Sequence, residues 1–442
     1  MSRSARLIED LLREHPAGFD LSLNRIRALL DRLGNPHHAL PPVIHVAGTN
    51  GKGSTIAFCR SILEAAGLAV HVHTSPHLVD WHERFLIGQK DAPAVPVAED
   101  TLADAIQRVT DANSGQPTTL FEALTATMFL LFAEQPADVA LVEVGLGGEL
   151  DATNVIETPA VCVITPIALD HMAFLGTTIA EIAAAKAGII KSGRPVLSAA
   201  QQDDAADIIR RQAARKAARL LVQSEDFTAH LENGRLCFQD DERFLDLDLP
   251  SLVGTHQTEN AGLAIAACLE FFDQMGKGLS ADAISKGLRS ARWPGRLQLL
   301  ERGRLHHMLP EGSEIWLDGG HNDHAGQAVA AFVNQIQGRD PRPLAIIVGM
   351  LASRDPKTYL QHVAPLADMG AAVPLLSTGE GHDPAALIDT AREYDLELRP
   401  ASSIKEALAQ FFSEDAAVRV MFCGSLYLVG DAIAANGTPV RM

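Results

Sequence analysis

From residue 1 to about 295, short apolar runs alternate with segments in which apolar residues recur every three or four positions. That rhythm predicts βαβ units around a mainly parallel sheet. Val43 to Ala47, Val139 to Val144 and Val161 to Thr165 read as strands of the buried type, and Thr55 to Ala66, Phe121 to Phe132, Ile179 to Ala187 and Asn260 to Phe272 carry a helical period. Residues 205 to 250 are more charged and less periodic, which predicts a peripheral insertion or hairpin. Arg292-Trp293-Pro294-Gly295-Arg296 places a proline and a glycine just after a helical pattern, the composition of a hinge. Beyond it the alternation restarts, with strands expected at Ile315 to Asp318, Leu344 to Val348, Ala372 to Leu376 and Val418 to Phe422. The expected architecture is α/β: a P-loop-type domain with a mainly parallel sheet at 1–295, then a smaller Rossmann-like α/β domain at 296–442.

Length agrees with two domains, since 442 residues exceed the usual single core. Charge narrows the partners. Lys and Arg total 37 against 55 Asp and Glu, a net of −18, which argues against nucleic acid or an anionic membrane as the main partner. An anionic ligand must therefore be held by local positive groups. Cys59, Cys162, Cys237, Cys268 and Cys423 are scattered, odd in number and mostly set in apolar runs, as expected of reduced core residues in a cytoplasmic protein. The N-terminus MSRSARLIEDLLREHPAG has no apolar signal core, and no stretch approaches the ~18 apolar residues of a membrane span.

The sharpest local signal is VIHVAGTNGKGST, a strand running through Gly48-Thr49-Asn50-Gly51-Lys52-Gly53-Ser54-Thr55 into a helix. Glycines let backbone N–H groups approach phosphate oxygens, the helix start adds partial positive charge and Lys52 adds a full one. It reads as a phosphate cradle, against the alternative of a glycine-rich turn with a surface lysine. Val46 replaces the usual first glycine, and Gly53 follows the lysine where Ser or Thr is common, so metal ligation by that residue is excluded. Glu143 interrupts VALVEVG near a strand's C-terminal end, where open parallel sheets place their ligands. It suits either Mg²⁺ or a buried arginine. Asp170 and His171 follow the next strand to the same edge. Lys186 lies on the apolar face of IAEIAAAKA, which calls for chemical alteration, pairing or snorkelling. His71 and His73 in VHVH share a strand face but lack partners at zinc spacing, and ordinary packing is expected of them.

Taken together, the chain resembles the folylpolyglutamate synthase and dihydrofolate synthase family within the Mur-type amide ligases. The resemblance rests on LGNPHHALPPVIHVAGTNGKGST, TSPHL, EVGLGGELDATN, LDHMAFLGTTIAEIAAAKAGIIK, GTHQTENAGLA, WPGRLQ, LDGGHN and CGSLYLVG, in the family's order. It implies an ATPase domain and a C-terminal ligase domain with the active site between them, and a monomer. By that resemblance Asn50, Gly51, Lys52, Gly53, Ser54, Asn260, Arg296 and Asp318 bind ATP, while Ser75, Glu143 and His171 hold Mg²⁺. Lys186 matches a lysine that the family carbamylates. His321 and Ser425 match residues near the meeting point of acyl phosphate and L-glutamate. A pocket for dihydropteroate or a reduced folate draws on Ser22, Leu23, Asn24, Arg25, Phe121, Glu122, Leu150, Asp151 and Ala152. Three positions depart from the pattern: Glu149 replaces a common Arg, Ala185 a usual Glu and Asp323 a common Pro. The first reverses a charge beside the acyl-substrate segment. The rival activities are a Mur-type ligase for another carboxylate, such as a peptidoglycan precursor, and a P-loop kinase or NTPase.

Overall fold

The computed structural model describes residues 2–14, 21–411 and 416–440. The chain forms two compact units, Met1–Ser251 with Thr258–Ala291, and Leu252–Gln257 with Arg292–Met442. Among the described residues no helix is long and apolar enough to cross a membrane.

The first unit is built on an eight-stranded sheet. Its strands are β1 (Val43–Ala47), β2 (Val70–His73), β3 (Phe85–Gln89), β4 (Ala92–Pro96), β5 (Val139–Glu143), β6 (Val161–Ile164), β7 (Val196–Ser198) and β8 (Leu220–Val222), in the order β4-β3-β2-β5-β1-β6-β7-β8. Pairing is parallel from β2 across to β8 and antiparallel only at β2–β3 and β3–β4. Every residue of β1, β5 and β6 is buried. Helices cover these strands, so their sequences run apolar without alternating. The helices that bear on the site are α1 (Lys52–Ala65), α2 (Leu120–Glu134), α3 (Ile179–Ala187) and α4 (Thr255–Gln274). α2 packs with Ala140 and Val142 in one core, and α3 with Cys162, Ile164 and Val196 in another.

The insertion expected at 205 to 250 begins later than its composition suggests. Asp203–Arg215 is a helix and β8 is the outermost parallel strand, so this stretch extends the main sheet. β8 is three residues long and partly exposed, too short to carry a readable period. From Phe227 the chain leaves that sheet for an antiparallel one of β9 (Phe227–Glu232), β10 (Arg235–Asp240) and β11 (Phe244–Leu247), in the order β11-β10-β9.

The second unit carries a six-stranded sheet in the order β12-β13-β17-β14-β15-β16. The strands are β12 (Gln298–Leu299), β13 (Glu314–Leu317), β14 (Leu344–Val348), β15 (Met369–Ala372), β16 (Leu398–Pro400) and β17 (Arg419–Cys423). All its pairings are parallel except β12–β13. The strand expected at Ala372 to Leu376 lies instead at Met369–Ala372. Pro374 has no N–H to give a ladder, whereas Gly370 fits a crowded central position: a Cβ there would lie 2.4 Å from Leu398 Cδ2 and 2.9 Å from the Ile346 oxygen.

Candidate active site

In the first unit, β1 and β5 are neighbours, yet β1 connects onward to β2 on one side and β5 to β6 on the other. Such a reversal opens a crevice at the strands' carboxyl ends. The loop after β1 fills that edge. Gly48 has φ +149°, and a Cβ on it would strike the Thr165 side chain at 1.8 Å. The Thr49 and Asn50 amides donate to the Pro166 carbonyl at 3.0 and 3.1 Å, and Thr49 Oγ1 donates to the Ala168 carbonyl at 3.1 Å. These bonds hold the loop against the β6 exit and turn the chain so that α1 starts at Lys52. Gly51, at φ +87°, caps α1 without a side chain. A Cβ at Gly51 would lie 2.5 Å from Asn260 Oδ1 on α4, so the helix start and Asn260 are in direct register. Ser54 is buried in the first turn of α1, whose N–H groups and dipole favour an anion.

Lys52 lies across this loop. Its Nζ donates to the Gly48 and Thr49 carbonyls at 3.2 and 3.3 Å and stands 3.8 Å from Glu143 Oε1. Glu143 ends β5, opposite Val46 of β1, and its Oε2 accepts the Ser75 N–H at 3.2 Å. Lys52, Glu143 and Ser75 are thus brought together by contact. Glu143 carboxylate oxygens beside a serine suit a hard divalent ion, which prefers oxygen ligands. His171 leaves the β6 exit with left-handed backbone, φ +50°, unusual for a residue with a Cβ. Its amide donates to Asp170 Oδ1 at 2.7 Å and its Nε2 lies 4.0 Å from Asp170 Oδ2.

Lys186 near the end of α3 is 5% exposed, and its Nζ donates to the Gly48 carbonyl at 2.8 Å. Two lysines therefore address one oxygen. Burial first, then the neighbouring Lys52 charge, bring the Lys186 amine down to about 7, against the pull of Asp151. The structure selects the buried, carbonyl-bound arrangement over a snorkelling one.

The segment after β5 is fastened from within. Asp151 Oδ2 accepts the Leu146 amide at 2.8 Å, and Oδ1 accepts the Thr153 amide at 3.0 Å and the Thr153 hydroxyl at 2.5 Å. That hydroxyl in turn accepts from His45 Nε2 at 2.9 Å in the middle of β1. Burial, with a smaller effect of Lys191, pushes His45 down to about 3, so it is the neutral Nε2–H tautomer. Burial raises the Asp151 carboxyl. Leu150 between these anchors is exposed, whereas Ala152 is buried. Phe121 sits on this segment: a Cβ at Gly145 would meet its ring at 2.3 Å. Next along α2, Glu122 accepts the Thr119 amide at 2.7 Å in a capping box. It also holds Arg25 through Nε at 3.1 Å and a second guanidinium nitrogen at 3.0 Å. Ser22 Oγ accepts the Asn24 amide at 3.2 Å, so the Ser22-Leu23-Asn24-Arg25 turn is tied to α2. Sequence reading passed over His45 and Thr153. A histidine inside an otherwise apolar strand was the available signal.

In the second unit, Asp318 follows β13. Its Oδ2 accepts the Leu297 amide at 3.0 Å and its Oδ1 the Gly320 amide at 2.7 Å. Arg296 is adjacent, with a guanidinium nitrogen 3.0 Å from where a Cβ on Gly319 would stand. His256 faces Asp318, Arg296 and His324, and burial lowers its pKa against the opposing pull of Asp318. It stands in the GTHQTENAGLA motif and sequence reading did not single it out. His321 Nδ1 donates to the Gly319 carbonyl at 3.2 Å. Ser425 Oγ accepts the Tyr427 amide at 3.1 Å and Asn322 Oδ1 the Ala325 amide at 3.0 Å, so each starts a helix just after one of the paired strands β17 and β13. Asp323, the first residue of the Asn322-capped helix, accepts at 2.8 Å from His362 of the helix Lys357–Val363.

The Mur ligase middle domain profile matches residues 46–268 and the dihydrofolate synthetase C-terminal domain profile matches 302–435. A dihydrofolate synthase/folylpolyglutamate synthase of Bacillus subtilis is 37% identical over 331 residues, covering 72% of this chain and 73% of that protein. Escherichia coli FolC, solved in complex with DHPP and ADP, superposes with a TM-score of 0.85 at 29% identity over 98% of both chains. A bifunctional folylpolyglutamate synthase/dihydrofolate synthase solved with Mn, AMPPNP and L-glutamate bound gives a TM-score of 0.82 at 30% identity, covering 98% of this chain and 99% of that one.

Proposed function

The chain belongs to the dihydrofolate synthase/folylpolyglutamate synthase family of Mur-type ligases, and from that premise we propose how its residues drive the ATP-dependent ligation of L-glutamate to a folate-type carboxylate. The observation that carries the reading is the contact set at the β1 and β5 ends, where Lys52 starts α1 beside Glu143.

A carboxylate resists an amine because its charge is delocalised and its oxygen is a poor leaving group. The substrate carboxylate attacks the γ-phosphorus of ATP, the bond to ADP breaks, and an acyl phosphate forms. Lys52 and the α1 N-terminus offset the charge that spreads over the transferring phosphoryl oxygens. Ser75, Glu143 and His171 would hold a divalent ion, Mg²⁺ by preference; when bound, such an ion neutralises phosphate charge. The neutral amine of glutamate then attacks the acyl carbonyl, phosphate departs, the nitrogen gives up one proton to solvent, and an amide remains. Asn50, Gly51, Gly53, Ser54 and Asn260 are assigned to ATP, joined by Arg296 and Asp318. His321 and Ser425 are assigned to the acyl phosphate and glutamate. The acyl substrate is assigned to Ser22–Arg25, Phe121, Glu122 and Leu150–Ala152. The pocket is supported by the Arg25–Glu122 pair and by Phe121 packed on Gly145, in the segment that carries exposed Leu150.

Lys186 is assigned a carbamate. Its amine is neutral for much of the time near pH 7 and can attack CO₂, releasing a proton to solvent and leaving an anion that complements Lys52. We place the protein in the cytoplasm, in keeping with five free cysteines, and assign it as a monomer on the family resemblance alone.

Transfer of ¹⁸O from a labelled substrate carboxylate into phosphate tests the acyl-phosphate step, and phosphate without label excludes it. Lys52→Ala should abolish turnover with the fold intact. A carbamate resonance from ¹³C-bicarbonate should appear in the wild type and vanish in Lys186→Arg. Assays with dihydropteroate, tetrahydrofolate and a UDP-muramyl acceptor identify the acyl partner, and ATP hydrolysis without glutamate consumption would favour a simple NTPase. Glu149 is exposed beside Leu150, and its charge favours acyl substrates with few carboxylates. Glu149→Arg should raise kcat/KM for polyglutamylated folates several-fold relative to dihydropteroate; an unchanged ratio removes Glu149 from the selectivity.

A further inference from the structure

The antiparallel sheet β9 to β11 takes no part in the reaction above, yet its two faces differ in chemistry. Leu236, Phe238 and Leu247 are fully buried, and Ala229 abuts α4, where a Cβ on Gly262 would come within 2.5 Å of it. The opposite face carries His230 and Glu232 from β9, Arg235 and Cys237 from β10, and Asp246 from β11. Register sets Cys237 directly across from His230 on one side and from Asp246 on the other. Glu232 lies two residues beyond His230 and so on the same face.

We propose that His230, Glu232 and Cys237 form a binding site for a zinc-class divalent ion, with an imidazole nitrogen, a carboxylate oxygen and a thiolate as protein ligands and water completing the shell. Among the described residues this is the group of three donors whose ligand atoms all lie within 4.8 Å of one another. His230 Nε2 is 3.7 Å from Glu232 Oε2, and Cys237 Sγ is 3.9 Å from the same oxygen. A tetrahedral ion with bonds of about 2.0–2.3 Å spaces its ligands by roughly 3.3–3.8 Å. Two edges of that tetrahedron are therefore present within a few tenths of an ångström, set by strand register rather than by a mobile loop.

The surrounding charges favour a cation. Arg235 shares the face, but its guanidinium is engaged by Asp246 at 2.8 Å and Asp248 at 2.6 Å, with Arg289 also on Asp248. Glu232 thus faces His230 and Cys237. Burial, then the charges of Glu232 and Asp246, raise the Cys237 thiol, and an ion reverses that balance as the thiol proton passes to solvent. Thiolate and imidazole select zinc-like ions over Mg²⁺, which separates this site from Ser75, Glu143 and His171.

The test is a titration of the reduced, full-length protein with Co²⁺, followed by displacement with Zn²⁺. A thiolate-to-cobalt charge-transfer band should grow to one ion per chain and disappear on adding Zn²⁺. It should be lost in Cys237→Ser, and His230→Ala and Glu232→Gln should each weaken Co²⁺ binding at least tenfold, a range that loss of outer-shell partners alone reaches. His230 and Glu232 are exposed, so those two variants are expected to fold as the wild type does, checked by circular dichroism. Absence of the band, its persistence in Cys237→Ser, or unchanged affinity in both other variants would each overturn the site.

Discussion

At Gly48 one carbonyl oxygen accepts from both Lys52 and Lys186, and burial, then the Lys52 charge held beside it, govern how the deeper amine titrates. The folded value of about 7 lies below the ordinary 10.5, so the unfolded chain binds the extra proton between these limits. Stability should rise with pH across that window, and below pH 7 the buried ammonium costs on the order of a few kcal/mol. In the protein free of nucleotide and metal, Lys186→Met should raise Tm most at pH 6 and hardly at all near pH 10.5; an equal gain at every pH would contradict the titration. Removing the Lys52 charge should move the Lys186 amine upward. The His45–Thr153–Asp151 chain is the second residue-scale test. Thr153→Val deprives a buried carboxylate of a donor and His45 of its acceptor, at a cost of about 1–3 kcal/mol in urea unfolding, while Thr153→Ser should retain most of the stability. His45 at about 3 lies below its ordinary 6.5, so its contribution is full above 6.5 and is lost as pH falls toward 3.

At the scale of elements, legibility followed burial. β1, β5 and β6 are buried throughout and lie at the centre of their sheet, so their composition alone betrayed them. β8, at the edge, and β15, built from Met-Gly-Ala-Ala, offered no such run, and the stronger apolar run after β15 contains Pro374. The phosphate loop was legible because glycines with positive φ are required where Thr165 and Asn260 crowd it. Asp151 illustrates the opposite case: its many backbone and hydroxyl donors come from Gly145 to Thr153, and no spacing rule reveals a carboxylate that folds its own loop. α2 offers an element-scale prediction because Glu122 serves two elements at once, capping its own helix and gripping Arg25. Glutamine can replace glutamate in a capping box but cannot form the ion pair. Glu122→Gln should therefore leave the helix cap intact and raise KM for the acyl substrate. Glu122→Ala should add a loss of about 0.5–2 kcal/mol in thermal or chemical unfolding. Equal stability of the two variants would show that the cap contributes nothing here.

The whole molecule carries a net charge of −18, and every proposed reactant is an anion: ATP, glutamate and a folate with one or more carboxylates. Long-range electrostatics therefore oppose encounter, and on the proposed assignment capture falls to short-range groups such as Lys52 and the α1 N-terminus. Screening separates these two ranges, because a Debye length of about 30 Å at 10 mM salt shrinks to about 8 Å at 150 mM. The distant negative surface is silenced first, while contacts of 3–4 Å inside a crevice are screened much less. Raising salt over that interval should increase kcat/KM, more for a folate with several γ-glutamates than for dihydropteroate, because repulsion scales with the charge of the incoming chain. Beyond about 150 mM the curve should flatten and then fall as the short-range ion contacts weaken. A decrease from the lowest salt onward would mean that the crevice projects a positive field far enough to dominate the protein's overall charge, and the polyglutamate chain would then be steered in rather than admitted against repulsion.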